Sequence, residues 1–280
     1  MILCTNSVLA NVSIIPFTRS GNLIMVSGKI GEQSGKFILD TGAPYLVLNQ
    51  TYFKNAQASN VLAAGVSGKV KVAKMQIESL EVTGYTWQNL NADVVSLSQV
   101  ENSKSTKILG LLGVQLFVNK ILTIDYANGQ LFVADKESQQ FVAKGETIIE
   151  EKLTVYDNRL ITKVNIAGKK QLTCIDTGAE ACVLHNKQKN KVWEQIDVKG
   201  RYLMAGVGSQ RAEVLSAVVK QLEFGDKEIS NVRTIVSNLD GLSEAYGFEV
   251  RFVMGYTILS GYLVTLNFVD NKVVMSRHAQ

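Results

Sequence analysis

Apolar and polar residues alternate over short stretches along most of this chain, and turn-forming residues separate the stretches. The clearest example is residues 121–133, where two apolar runs flank Asn128-Gly129. Alternation with a period of two is typical of β-strands, and an Asn-Gly pair favours a tight turn with positive φ. This segment therefore predicts a β-hairpin.

Helical periodicity is weak, and it predicts short helices only at residues 50–55, 114–119 and 240–246. The longest uncharged run, residues 252–269, has about the minimum length of a membrane span, but glycines and hydroxyl residues interrupt it. This run predicts two buried strands around a turn. The chain as a whole is expected to be all-β.

The second half of the chain repeats the first. FILDTGAPYLVLN, which begins at Phe37, returns as LTCIDTGAEACVLHN, which begins at Leu172. Further matches follow in the same order: Ala64-Gly65-Val66 with Ala205-Gly206-Val207, residues 80–82 with 222–224, Leu112-Gly113 with Met254-Gly255, and residues 122–126 with 264–268. We therefore expect two copies of one domain, residues 1–145 and 146–280, joined near residues 143–150.

Composition narrows the class of protein. Hydrophobic residues make up 46% of the 280 residues and charged residues 19%, which is typical of a folded globular chain. The net charge is +4, and no basic run is longer than Lys169-Lys170, so nucleic-acid binding has no support. The chain carries neither a P-loop nor a dinucleotide-binding glycine motif.

Cysteine and histidine are scarce. Cys4, Cys174 and Cys182 are an odd number, so a disulfide framework does not explain the fold. The spacing from Cys174 through Cys182 to His185 is not a usual zinc pattern, and we expect no metal. His185 and His278 are the two histidines, so a hydrolase triad would depend on one of them, and His185 has no acid and serine at motif spacing.

The N-terminal residues 1–10 lack the basic start of an intact signal peptide. Leu3-Cys4 could be the remnant of a lipoprotein processing site if a leader has been trimmed, whereas an ordinary strand is the simpler interpretation. Localisation stays open, with a weak lean towards the cell envelope or secretion.

The candidate catalytic residues lie in a motif that occurs twice, Asp40-Thr41-Gly42-Ala43 and Asp176-Thr177-Gly178-Ala179. One copy would be an ordinary turn, but two copies in register after apolar strands are unexpected by chance. Each aspartate ends a core strand, where burial disfavours the charged carboxylate. Because glycine permits close backbone approach, the two loops could meet and let the carboxyls share a proton.

This duplicated motif resembles the active site of the retropepsin-like and pepsin-like aspartic proteases. Residues 111–113 and 253–255 match the apolar-apolar-glycine segment of that group. The resemblance implies two β-barrel lobes related by a pseudo-twofold axis, with a cleft between them. It also implies a mobile flap in each half, near residues 64–70 and 205–211, with substrate-binding residues Ala64, Gly65, Val66, Ala205, Gly206 and Val207.

The activity that the resemblance implies is endopeptidase hydrolysis of extended polypeptide. Asp40 and Asp176 would activate a water molecule, one as base and the other as acid, without a cofactor or metal. Thr41 and Thr177 would hydrogen-bond across the two loops, and the loop residues Gly42, Ala43, Gly178 and Ala179 would support them. Because the halves are fused, a monomer is expected.

Two departures from the pepsin pattern matter. Pepsins usually place a hydroxyl residue where this chain has Ala43 and Ala179, so the carboxylates lose a donor and their pKa values should be higher. We therefore expect an optimum at mildly acidic to neutral pH. The flaps lack the pepsin-type tyrosine, so cleavage specificity stays open. Pro44 is a further irregularity, because it has no partner at Glu180.

A second hypothesis is a protein that binds peptide without cutting it, or an assembly module on the same duplicated fold. Loss of either aspartate would be the simplest route to such a protein. Both Asp40 and Asp176 are present, which favours the enzyme.

Overall fold

The computed structural model describes residues 12–65, 68–141, 145–205 and 211–278, and it confirms the all-β prediction. The β-strands are Val12–Ser20 (β1), Leu23–Ile30 (β2), Gln33–Leu39 (β3), Leu46–Asn49 (β4), Gln57–Gly65 (β5), Gly68–Val82 (β6), Tyr85–Val95 (β7), Ile108–Leu112 (β8), Ile121–Asp125 (β9), Gln130–Ala134 (β10), Gly145–Lys152 (β11), Thr154–Tyr156 (β12), Arg159–Ile166 (β13), Lys169–Ile175 (β14), Cys182–His185 (β15), Ile196–Ala205 (β16), Arg211–Phe224 (β17), Lys227–Ser237 (β18), Phe252–Met254 (β19), Leu263–Asn267 (β20) and Lys272–His278 (β21). The helices are Ser98–Lys104 (α1), Asn190–Trp193 (α2), Asp240–Tyr246 (α3) and Tyr256–Leu259 (α4), with 3-10 turns at Val114–Phe117 and Lys136–Phe141.

The two halves of the chain have the same strand order. In the first half the hydrogen-bonded order is β1-β2-β3-β8-β4-β7-β6-β5, and in the second it is β12-β13-β14-β19-β15-β18-β17-β16. Each sheet also closes on itself, through β2 with β6 and through β13 with β17. The repeat in the sequence is therefore also a repeat in topology. The division at residue 145 remains a prediction.

A shared sheet joins the two halves, in the order β11-β21-β20-β9-β10-β1. At its centre β9 and β20 pair antiparallel, with Thr123 opposite Thr265. These two residues are equivalent in the repeat, and their hydroxyl oxygens lie 2.8 Å apart. A local twofold axis therefore passes between them.

One cluster of buried apolar side chains extends through both halves. It includes Leu122 and Ile124 from β9 and Val264 and Leu266 from β20. Burial of one such side chain contributes about 1.5–3 kcal/mol, so the two halves stabilise each other through the shared sheet.

Short elements show where local patterns mislead. Residues 240–246 form helix α3 as expected, and the expected hairpin forms between β9 and β10 with Gly129 at φ +65°. Residues 114–119 form only the 3-10 turn Val114–Phe117. Helix α1 was not predicted.

Residues 50–55 contain turns, so the expected helix there is wrong. The cause is buried Asn49. Its side chain accepts from the Thr51 and Leu97 N–H groups and donates to the Ile108 carbonyl, which anchors a turn at the end of β4.

The apolar run 252–269 forms the two expected strands β19 and β20, but helix α4 lies between them in place of a simple turn. No helix in the described ranges is long and apolar enough to cross a bilayer. The prediction for residues 1–10, including Leu3-Cys4, falls outside the described residues.

Candidate active site

Both Asp-Thr-Gly-Ala motifs lie directly after a core strand, in loops with the same construction. The Asp40 N–H donates to the Leu112 carbonyl at 3.1 Å, and the Asp176 N–H donates to the Met254 carbonyl at 3.0 Å. In each half the chain leaves the motif and returns as a strand on the far side of β8 or β19. The strand that lies between them, β8 or β19, therefore supports each motif loop.

The apolar-apolar-glycine segments form this support. Leu112 and Met254 end β8 and β19, and a glycine follows each of them. A Cβ on Gly113 would lie 2.0 Å from the Tyr45 carbonyl oxygen, and one on Gly255 would lie 2.5 Å from that of Ala181. Only glycine lets the segment pass so close beneath the loop.

The two motif loops meet at their glycines. A Cβ on Gly42 would lie 2.6 Å from the Asp176 carboxyl carbon, and a Cβ on Gly178 would lie 2.6 Å from that of Asp40. Each glycine therefore faces the carboxyl group of the other half. This close approach brings together two carboxyls that are 136 positions apart in the chain.

Crossed hydrogen bonds join the loops. The Thr41 hydroxyl donates to the Ile175 carbonyl at 2.9 Å and accepts from the Thr177 N–H at 3.0 Å. The Thr177 hydroxyl donates to the Leu39 carbonyl at 2.9 Å and accepts from the Thr41 N–H at 3.0 Å. Both threonines are buried. Each hydroxyl thus connects to the backbone of the opposite half.

Backbone donors hold both carboxyls, which are partly exposed. Asp40 Oδ1 accepts from the Gly42 N–H at 2.9 Å and the Ala43 N–H at 3.2 Å, and Asp176 Oδ1 accepts from the Gly178 N–H at 2.8 Å. Desolvation raises the pKa of Asp40. Desolvation and then the charge of Asp40 raise the pKa of Asp176 well above its ordinary value. Two acids in this arrangement favour holding one proton between them.

This geometry can be compared with known proteins. Residues 26–116 match the family model for aspartyl proteases. The matched region contains Asp40 and its motif but ends before Asp176. A comparison with curated protein sequences finds no match.

The crystal structure of basic 7S globulin from soybean has a similar fold. The TM-score is 0.55 at 12% identity, and the alignment covers 95% of this chain and 96% of the globulin chain. At this identity the likeness establishes the fold, so the all-β architecture along the whole chain is the one found in the globulin.

The flap segments that the aspartic protease resemblance implies are two β-hairpins. Ala64 and Gly65 end β5, which pairs with β6 up to Gly65 opposite Gly68. Ala205 ends β16, which pairs with β17 up to Ala205 opposite Arg211. The other expected flap residues, Val66, Gly206 and Val207, lie outside the described residues.

Further contacts between the halves lie beside the two Asp-Thr-Gly-Ala motifs. Glu180 accepts from the Lys104 ammonium group at 2.6 Å and from the Asn22 N–H at 2.9 Å. In the opposite direction, the Tyr45 hydroxyl donates to Asp157 at 3.0 Å. Glu180 and Tyr45 both lie a few residues after a motif, so each motif loop is tied to the other half.

Sequence reasoning missed two residues beside the motifs. Lys104 and Tyr246 end helices α1 and α3, and each contacts the motif loop of the other half: Lys104 binds Glu180, and the Tyr246 hydroxyl lies 3.4 Å from the Gly42 carbonyl oxygen. Tyr246 is 204 positions from Gly42, and no local pattern reports such a contact. The duplicated topology was the signal that could have placed both helix ends near the loops.

Cys182 and His185, which were considered for a metal site, contact other groups. Cys182 is buried below Gly255, and the His185 ring lies between Asn186 and Asp240. Within the described ranges, no group of three or more histidine, cysteine or acidic side chains is placed to hold a metal ion.

Proposed function

We propose that this protein is an aspartic endopeptidase that hydrolyses extended polypeptide with a water molecule activated between Asp40 and Asp176. The observation that carries the proposal is the mutual approach of the two motif loops, in which each glycine faces the carboxyl group of the other half. The aspartyl protease match over residues 26–116 supports the same activity.

The chemistry needs one carboxylate and one carboxylic acid. The ionised member takes a proton from the water, whose oxygen attacks the scissile carbonyl carbon, while the protonated member gives its proton to the carbonyl oxygen. The tetrahedral intermediate then collapses. The C–N bond breaks, the amine nitrogen receives the proton that came from the water, and the acid regains its own proton from the intermediate. The dyad is thus restored without a covalent intermediate.

The two hairpins support an extended peptide as the substrate class. An extended peptide can pair its backbone with a strand edge, as an added strand, and place alternate side chains in pockets. β5 in the first half approaches helix α3 of the second half. On β16, Tyr202 and Leu203 are 60% and 68% exposed and could contact apolar substrate side chains.

A cavity of about 680 Å³ lies at the base of the first hairpin and adjoins the motif loop through Tyr45. Gln57 of β5 and the ion pair between Lys74 and Asp93 also line it. Its size is within the range of pockets that accept small ligands or side chains. We assign it to a side chain of the bound peptide.

The test is cleavage of a diverse peptide mixture, scored by mass spectrometry from about pH 3 to pH 8. Wild type is compared with Asp40→Asn, Asp176→Asn and the control Asp135→Asn, which removes a carboxylate that pairs with Lys120. We expect cleavage by wild type and the control, and none by the other two.

Circular dichroism and the unfolding midpoint of each variant show that it is folded. Equal cleavage by Asp40→Asn or Asp176→Asn and wild type would contradict the proposal. Binding of peptides by a folded wild type that cleaves none of them would favour the peptide-binding alternative.

A further inference from the structure

A chain of hydrogen bonds leads from a buried cysteine in the second half to the catalytic candidate Asp40 in the first. The Tyr246 hydroxyl donates to the Gly42 carbonyl at 3.4 Å, and Cys174 Sγ lies 2.8 Å from the same hydroxyl. A tyrosine hydroxyl carries one proton, which is used in the bond to Gly42. Either atom can be the donor in the contact between Cys174 and Tyr246, and when the Tyr246 proton lies on the Gly42 carbonyl the Cys174 thiol donates to Tyr246.

The chain continues through one peptide group. The Gly42 carbonyl and the Ala43 N–H belong to the same peptide, and this N–H donates to Asp40 Oδ1 at 3.2 Å. A donor on the carbonyl polarises the peptide and strengthens the bond from its N–H. Tyr246 thus acts on the Asp40 carboxylate without touching it.

The second motif has a different arrangement. The residue equivalent to Tyr246 is Lys104 at the end of α1, and it donates to the Glu180 carboxylate. The residue equivalent to Cys174 is Ile38, which has no side-chain donor. The two halves therefore differ at the positions that reach the loops, although their strands have the same order.

We propose that Tyr246, supported by Cys174, is a positioning residue that stabilises the ionised form of Asp40 and so makes Asp40 the base and Asp176 the acid. This inference rests on the proposed endopeptidase function for the terms base and acid. The ionisation that it assigns can be measured without any cleavage.

The charged and titratable groups around Asp40 agree with the assignment. Asp176 faces it from the other loop, and the charge of Asp40 raises the pKa of Asp176. Burial raises the pKa values of Cys174 and Tyr246, so both stay neutral donors across the working range.

Further groups lie beyond this first ring. The Arg159 guanidinium carbon lies 5.3 Å from the Tyr246 ring centre and is paired with Asp157. A cation over the ring favours a more acidic hydroxyl and thus a better donor. Tyr126 is near Asp176, where burial raises the pKa of its hydroxyl and keeps it neutral.

The experiment is a ¹³C NMR titration of protein labelled at the aspartate carboxyl carbons. The two signals of the pair are identified by their loss in Asp40→Asn and Asp176→Asn. Wild type is then compared with Tyr246→Phe, Cys174→Ala and the double variant. The control Tyr85→Phe removes a hydroxyl near the Lys120 ammonium group, outside the motif loops.

We expect Tyr246→Phe to raise the lower apparent pKa of the pair by about 0.3 units, because the ionised form loses support. Cys174→Ala raises it by less. The double variant matches Tyr246→Phe, because the two groups act in series. Tyr85→Phe leaves it unchanged.

An unchanged lower pKa in folded Tyr246→Phe would overturn the inference, and so would full additivity in the double variant. If Tyr246→Phe does not fold, Cys174→Ala is compared with Cys174→Ser. The serine hydroxyl can replace the thiol as a donor, so equal titrations of the carboxyl pair in the two variants would overturn the inference.

Cleavage is assayed on the same samples. Shifted titrations in a protein that cleaves nothing would support the assignment of the ionised carboxyl and count against the proposed function. Cleavage by a protein whose titrations do not shift would support the proposed function and count against the assignment of the ionised carboxyl.

Discussion

Replacement of Thr41 by valine tests the crossed hydrogen bonds between the motif loops. Valine has nearly the shape of threonine but no hydroxyl. Its introduction leaves the Thr177 N–H without the acceptor that now lies at 3.0 Å, and it removes the donor to the Ile175 carbonyl. Thr41 is 1% exposed and Thr177 is 2% exposed, so water does not readily replace either bond.

The magnitude follows from these two groups. A buried N–H left without a partner costs about 1–3 kcal/mol, and a lost hydrogen bond to a carbonyl costs about 0.5–1.5 kcal/mol. The free energy of unfolding should therefore fall by about 1.5–4.5 kcal/mol, which is a large part of the total stability of about 5–15 kcal/mol expected for a domain.

The assay is urea unfolding followed by tryptophan fluorescence, with Thr123→Val as the matched control. Thr123 is also buried, but its hydroxyl bonds to another hydroxyl, that of Thr265, so no backbone N–H is left without an acceptor. We expect a loss of about 1 kcal/mol in the control. If Thr41→Val loses no more than Thr123→Val, the crossed bonds do not hold the loops together and the reasoning is refuted.

Three more outcomes follow from charge and backbone geometry. The folded-state pKa of Asp176 is raised, so this group stabilises the folded protein at low pH and loses that contribution as pH rises. Asp176→Asn should therefore have a higher unfolding midpoint than wild type near neutral pH, and the difference should shrink below about pH 4. An unchanged midpoint near neutral pH would count against the raised pKa. Gly21 and Gly31 both have positive φ, but a Cβ would meet Glu180 Oε2 at 2.5 Å only at Gly21, whereas Gly31 has open space; Gly21→Ala should lower the unfolding midpoint more than Gly31→Ala, and equal losses would contradict the contact. Because desolvation raises both carboxyl pKa values, the cleavage rate should be highest at mildly acidic to neutral pH; maximal cleavage near about pH 2 with none near about pH 6 would contradict this.

Local and repeated patterns predicted much of this structure. Alternation marks the strands because one face of each strand packs on the core, and Asn128-Gly129 marks a turn because Gly129 takes positive φ. The duplication predicted that Asp40 and Asp176 meet, since a twofold arrangement relates equivalent residues across one axis and the motif glycines permit close approach. The same symmetry places Thr123 opposite Thr265 in the shared sheet.

Contacts that break the symmetry could not be predicted in this way. Lys104 and Tyr246 occupy equivalent helix ends but bind different partners, a carboxylate and a backbone carbonyl. A turn follows Asn49 in place of the expected helix, because the buried Asn49 side-chain amide hydrogen-bonds backbone groups from three segments. These contacts join side chains that are distant in sequence, so the pattern within a short sequence segment does not predict them.

The central claim is that two carboxyls work as one unit, and the pH profile of kcat/KM for one cleaved peptide tests it most directly. The account predicts a bell-shaped profile, because one member of the pair must be ionised and the other protonated. It also predicts that Asp40→Asn and Asp176→Asn each abolish cleavage at every pH. A profile with a single ionisation, or cleavage that survives in either variant, would contradict the account.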